Sequence, residues 1–194
     1  MIAIDIDVRK LDEFRRAIRA AGKSIPREMA AAFNATAKKT KSSISKQIRT
    51  ELASSAKGVN DTISITKKAT TQSLNAGVRL GKTKRVPLKD FGARQVRAGV
   101  SYRVSKGGSR KLATSAFMGP KPGVKAPRLN GHVFKRKGPG RLPIVKLMGA
   151  SPWAVFIKQR MSPEQVKMIN AELLKQVDRR IKLNVMRANG LVKN

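Results

Sequence analysis

The sequence contains no cysteine. That absence excludes disulfides, thiolate metal sites and cysteine nucleophiles. Histidine is almost missing as well, with His132 the single example. It has no acid close by in sequence, and a catalytic histidine needs an orienting partner. A structural or exposed role is expected for it. Aromatic side chains are few: six Phe, Trp153 and Tyr102. With so little bulk the core is expected to be modest and to be completed by neighbouring subunits. No apolar run reaches the roughly 18 to 20 residues that cross a bilayer. The first residues, MIAIDIDVRK, alternate Ile with Asp. They lack the basic start and apolar run of a signal peptide. A reducing, soluble compartment with no membrane partner is the expectation.

Negative charge is the scarcest resource. Lys and Arg number 43 against 11 Asp and Glu, a formal charge of +32. Between Asp61 and Glu164 stands one acid, Asp90, against 23 Lys and Arg. Such a field repels itself and calls for a polyanion, an acidic protein partner, or both. The same scarcity argues against catalysis. No carboxylate pair, metal-ligand spacing or nucleophile–base arrangement is present, so neither enzyme activity nor a cofactor or metal is expected. Gly81-Lys82-Thr83 resembles the end of a phosphate-binding loop, but Ala76 stands where its first glycine belongs. Nucleotide binding is rejected there. Zinc-finger, recognition-helix and RNP-type aromatic signatures are missing too. With Tyr102 the one clear strand aromatic in a basic face, stacking on bases is expected to be weak.

What is present reads as α+β: N-terminal helices, a central, mostly antiparallel β-sheet with long basic loops, and a C-terminal helix. One domain over 1–194 is expected, with 1–71 mainly helical, 72–150 the sheet and 151–194 the C-terminal helix. Ile2, Ile4 and Ile6 alternate as a strand, and Leu11, Phe14 and Ile18 recur at helical spacing up to Gly22. Met29, Phe33, Ala37, Ile44, Ile48 and Leu52 predict the longest helix of the first half, Arg27 to Ala53. A short helix is read around Val59 and Ile63, and a strand over Leu74 to Leu80. Val96 to Val104 alternates as one half-buried strand, which would place Arg97 and Arg103 on a shared face. Ser105 to Ser109 turns into a second strand, Leu112 to Met118. Gly119 to Asn130 is an irregular loop. Strands follow at Gly131 to Phe134 and Leu142 to Met148, around the basic turn Lys135 to Arg141. Trp153, Phe156 and Ile157 read as a packing anchor or an intersubunit contact. Ser162-Pro163-Glu164-Gln165 opens the last helix with an N-cap, a first-turn proline and a capping-box glutamine, and Gly190 ends it.

The order of these pieces resembles the phage minor tail protein Z family, the tail-completion proteins of long non-contractile-tailed phages. A helical half ends in KKAT (Lys67 to Thr70), and a strand leads into VPLKDFGAR (Val86 to Arg94). SAFMG (Ser115 to Gly119) follows a basic loop. HVFKRKG (His132 to Gly138) and RLPIVKLMGAS (Arg141 to Ser151) precede the C-terminal helix. The pair VFKRKG and RLPIVKL at close spacing is the most specific part. The resemblance implies a virion protein of the tail neck, assembled in the host cytoplasm. It also implies a homo-oligomeric ring, a hexamer by analogy, that contacts the tail terminator or tube and the head connector and positions the genome end. It carries over no catalytic residue. For backbone contact with viral DNA the basic loops are the candidates: Lys82, Lys84, Arg85, Lys106, Arg110, Lys111, Lys135, Arg136 and Lys137. Such contact would be electrostatic and independent of sequence. Composition by itself equally fits a cellular nucleic-acid-binding protein, ribosome- or nucleoid-associated. Asp90 is expected to hold a nearby arginine such as Arg94, or a backbone amide.

Overall fold

A computed structural model describes residues 24–120, 129–159 and 161–188. The strand at Ile2 to Ile6, the helix up to Ala21, most of the 119–130 loop and the stop at Gly190 lie outside the described residues. In order, the elements are α1 (Ser24–Glu51), α2 (Ala56–Asn60), β1 (Ile63–Lys67), β2 (Gly77–Leu80), a 3-10 turn (Leu88–Phe91), β3 (Arg94–Val96) and β4 (Gly99–Tyr102). Then come β5 (Lys111–Thr114), β6 (Ala116–Met118), β7 (Val133–Arg136), β8 (Ile144–Lys146), α3 (Pro152–Gln159) and α4 (Pro163–Ala188). The class is α+β, with helices before and after a set of antiparallel sheets. The described residues divide into two compact units, 24–43, 64–79 and 161–188 in one, and 44–63, 80–120 and 129–159 in the other.

In the first unit the apolar stripe of α1 does what its spacing predicts. Met29, Phe33 and Ala37 are buried, and α4 contributes buried Ile169, Leu173 and Val177. Ion pairs Lys39–Glu172 and Arg180–Glu28 join the two helices outside that apolar contact. The start of α4 is a reciprocal capping box. The Ser162 hydroxyl accepts the Gln165 N–H at 3.3 Å, and the Ser162 N–H donates to the Gln165 side-chain oxygen at 3.0 Å. Asn34 clamps the KKAT segment through both edges of its amide, bonding Ala69 O at 3.0 Å and Ala69 N at 2.9 Å. β1, which the sequence left inside the helical part, pairs with β2.

The second unit is built on two three-stranded sheets, β3-β4-β5 and β6-β7-β8. Its core holds Ile48, Leu52, Val59, Val86, Phe91, Val100, Val133 and Phe156. Of the expected anchor, Phe156 alone is buried; Trp153 is half-buried and Ile157 exposed. Ahead of the 3-10 turn, the chain at Val86 to Leu88 pairs with residues 147–150, the segment that follows β8. Gly149 N donates to Val86 O at 2.8 Å and Leu88 N to Leu147 O at 3.1 Å. At Gly149 a methyl group would overlap the Phe91 ring, which explains the glycine. The β4–β5 loop is tied to the end of α1 by Lys106 N to Glu51 O at 2.8 Å and Ala53 N to Val104 O at 2.9 Å.

The strands at 74–80 and 142–148 are shorter than expected, β7 runs on through Lys135 and Arg136, expected in the turn, and two expected strands are each broken in two. Val96 to Val104 is not one strand. The chain reverses at Arg97-Ala98, so that Val96 pairs with Gly99 and Gln95 with Val100. Arg97 therefore lies in a turn and shares no strand face with Arg103. Leu112 to Met118 is also broken, at Ser115, whose φ of 58° takes the chain from one sheet into the other.

Candidate nucleic-acid interface

The nine basic residues singled out from sequence all belong to the second unit, and over 44–63 and 80–159 of the sequence 22 Lys and Arg stand against three acids. The register separates them into three places. Lys82, Lys84 and Arg85 are exposed on the loop that runs into Val86, and the Ser151 hydroxyl donates to Lys84 O at 3.3 Å. Lys135 and Arg136 end β7, and Lys137 begins the turn to β8, its N–H on Pro143 O at 3.1 Å. Because Arg136 pairs with Ile144 while Val86 lies beside Gly149 and Ala150, these two groups lie at opposite ends of the 144–150 stretch. At about 3.3 Å per residue the separation is roughly 20 Å. Lys106, Arg110 and Lys111 sit on the β4–β5 hairpin of the other sheet.

Arg110 differs from the other eight. Its guanidinium donates to Ser101 Oγ at 2.8 Å, Ser101 O at 2.9 Å and Gly92 O at 2.8 Å. These bonds tie the start of β5 to β4 and to the exit of the 3-10 turn. They use the planar donor fork that carries phosphate recognition elsewhere. Arg110 therefore holds the fold of the hairpin that presents Lys106 and Lys111.

Along the β7–β8 ladder lies a face that the basic residues alone do not mark. The register places Phe117, Phe134 and Lys146 in one row across β6, β7 and β8. The two rings stack at 6.1 Å with 30° between their planes. Arg136 stands two residues from Phe134 on the same face, its Cζ 5.8 Å from the Phe117 centroid, within cation–π range. His132 stands two residues on the other side. Its Nε2 lies 3.1 Å from Lys146 Nζ. An ammonium only donates, so Nε2 accepts and the ring proton is assigned to Nδ1, which is buried without a partner among the described residues. Burial lowers the His132 pKa, and Lys146 and Lys89 lower it further against a smaller opposite effect of Asp90. The ring is neutral at pH 7. The signal for this face was present in the alternation of HVFKR, where residues 132, 134 and 136 share a side, but Phe117 joins them only through the pairing of β6.

Asp90 does not reach for Arg94. Its carboxylate accepts the Ser55 hydroxyl at 3.0 Å, and its backbone oxygen accepts Ser55 N–H at 2.9 Å. Among the described residues no group of three or more His, Cys, Asp or Glu is placed to hold a metal ion, and no helix is long and apolar enough to cross a membrane. Comparison with protein-family models found no match, and comparisons with curated proteins and with solved structures found none either.

Proposed function

We propose that the protein is a structural, non-enzymatic component of a phage virion. It completes the head-proximal end of a long non-contractile tail as a subunit of a ring, sixfold by analogy. There it takes part in head–tail joining and holds the genome end by contacts to backbone phosphates. The observation that carries the reading concerns the two most specific pieces of the resemblance. VFKRKG and RLPIVKL are the two strands and the turn of one hairpin, with Phe134 opposite Lys146 and Arg136 opposite Ile144. The spacing of the motif is thus the closure of a physical unit, with exposed Lys135 and Arg136 at the end of β7 and exposed Lys137 and Arg141 in its turn. The 22 cations against three acids over 44–63 and 80–159 support a polyanion beside the second unit. A core with few aromatics supports burial against neighbouring copies.

The test is removal of the gene from the phage that encodes it, with negative-stain imaging of the lysate. The expected result is filled heads and finished tails that fail to join or that leave the genome end unanchored. Normal joined, DNA-filled and infectious particles would overturn the proposal.

A further inference from the structure

Each sheet face in the second unit has to be covered or to meet something. On the β6-β7-β8 sheet, one face buries Ala116 and Val133 in the core. The opposite face carries the row Phe117–Phe134–Lys146, flanked by Arg136 and His132. It is not a solvated polar face, because two stacked rings lie at its centre. Nor is it an ordinary apolar face, because Arg136 and Lys146 are exposed on it and Lys89 reaches the Asn130 carbonyl at 3.1 Å beside His132. No acid shares the row.

We propose that this face binds single-stranded nucleic acid, with bases against Phe117 and the guanidinium plane of Arg136, and phosphates on Lys146 and Lys89. The inference rests on the reading that the partner of this unit is nucleic acid, and it names the strand state and the surface. Charge alone would serve a duplex equally well, since phosphates line both. The aromatic ladder is what discriminates. Duplex bases stack on one another and present no free π-face, whereas an unpaired base does. Antiparallel sheets that stack bases do so through aromatics on adjacent strands, and Phe117 on the edge strand β6 lies directly opposite Phe134 on the central strand β7. Three strands span two inter-strand spacings, about 10 Å, enough for a short run of nucleotides. The neutral His132 ring adds a flat surface at the edge of the row without adding charge. Phe134, only 8% exposed, packs beside Phe117 on the neighbouring strand and does not itself meet a base.

The experiment measures fluorescence anisotropy of a fluorescein-labelled oligothymidylate and of a labelled duplex of equal length, titrated with the full chain over a range of salt. Variants are Phe117→Leu, which keeps apolar bulk and removes the ring, and Lys146→Gln, which is exposed and leaves packing intact. The expected result is tighter binding of the single strand than of the duplex. Phe117→Leu should weaken the single strand roughly tenfold and leave the duplex unchanged. Lys146→Gln should lower the single-strand salt slope by about 0.7. Equal affinity for both forms, with both variants like wild type, would overturn this inference and leave the nucleic-acid reading standing. Binding of neither probe at low salt would overturn both. Should Phe117→Leu fail to fold, the salt slope of Lys146→Gln decides by itself: an unchanged slope overturns the inference.

Discussion

Ser55 and Asp90, 35 residues apart, form one cap. The Ser55 hydroxyl accepts the Gly58 N–H at 3.0 Å and donates to the Asp90 carboxylate at 3.0 Å. A side-chain oxygen thus satisfies a free donor at the start of α2, and a carboxylate orients that oxygen. The approach is close: a methyl on Gly58 would meet Val86 Cγ1 at 2.7 Å. The lone central acid is therefore a structural pin between α2 and the 3-10 turn.

Removing either half of the pin should destabilise the protein without touching the basic loops. Ser55→Ala is expected to cost about 1 kcal/mol, the usual worth of an N-cap. Asp90→Ala should cost a similar amount, and the double variant less than the sum, because the two residues act through one hydroxyl. Urea unfolding followed by the emission of Trp153, the single tryptophan, measures all three. Strict additivity would show that the pair is not coupled.

Arg110 should behave as a fold residue and its neighbour Lys111 as a surface residue. Arg110→Ala breaks three hydrogen bonds to Ser101 and Gly92 and is expected to lower stability by about 1 kcal/mol, since the group is exposed and water compensates in part. Arg110→Lys should not restore it, because an ammonium lacks the planar fork. Lys111→Ala should fall within about 0.5 kcal/mol of wild type. The midpoint of urea unfolding distinguishes them.

Acid should weaken the protein in two stages. The folded-state pKa of His132 lies below its ordinary 6.5. In that window the unfolded chain binds more protons, so stability rises with pH and is lost as pH falls below about 6.5. Glu172 is held below its ordinary 4.5 by bonds from Lys39 and then Gln176, so its contribution is lost further down, as pH falls below 4.5. His132→Gln should flatten the first stage and keep the second, measured as thermal midpoint against pH. Parallel curves for the two proteins would contradict the assignment.

Thr36 is fully buried in α1 and its hydroxyl has no partner among the described residues. Thr36→Val has nearly the same shape and removes an unpaired polar atom, so it should stabilise by about 1 kcal/mol. A lower thermal midpoint for the variant would show that the hydroxyl is satisfied in solution.

The helices were legible because their signal is long. Six apolar residues along α1 and the Ser162–Gln165 box at α4 each repeat one message over several turns. The sheets were not, because their signal is short and the turns are unmarked. Arg97-Ala98 carries none of the Asn-Gly or Asp-Gly chemistry that advertises a two-residue hairpin. The alternation of Val96, Ala98 and Val100 ran straight through it. In the hairpin Val96 is 40% exposed while Val100 is fully buried, although a single strand would place both on one side. Ser115 gives no warning of its positive φ. The basic residues of the candidate interface were legible as a list, but their division among three places depends on register. The Phe117–Phe134 row depends on pairing between β6 and β7, separated in sequence by the 119–132 segment.

Immunogold labelling of purified particles tests most directly whether this chain belongs to the neck of a virion. An epitope tag added after Asn194 in an otherwise infectious phage should place gold at the head–tail junction and nowhere along the tail. Particles that carry no label, with the tagged chain left in the soluble fraction of the lysate, would contradict the account.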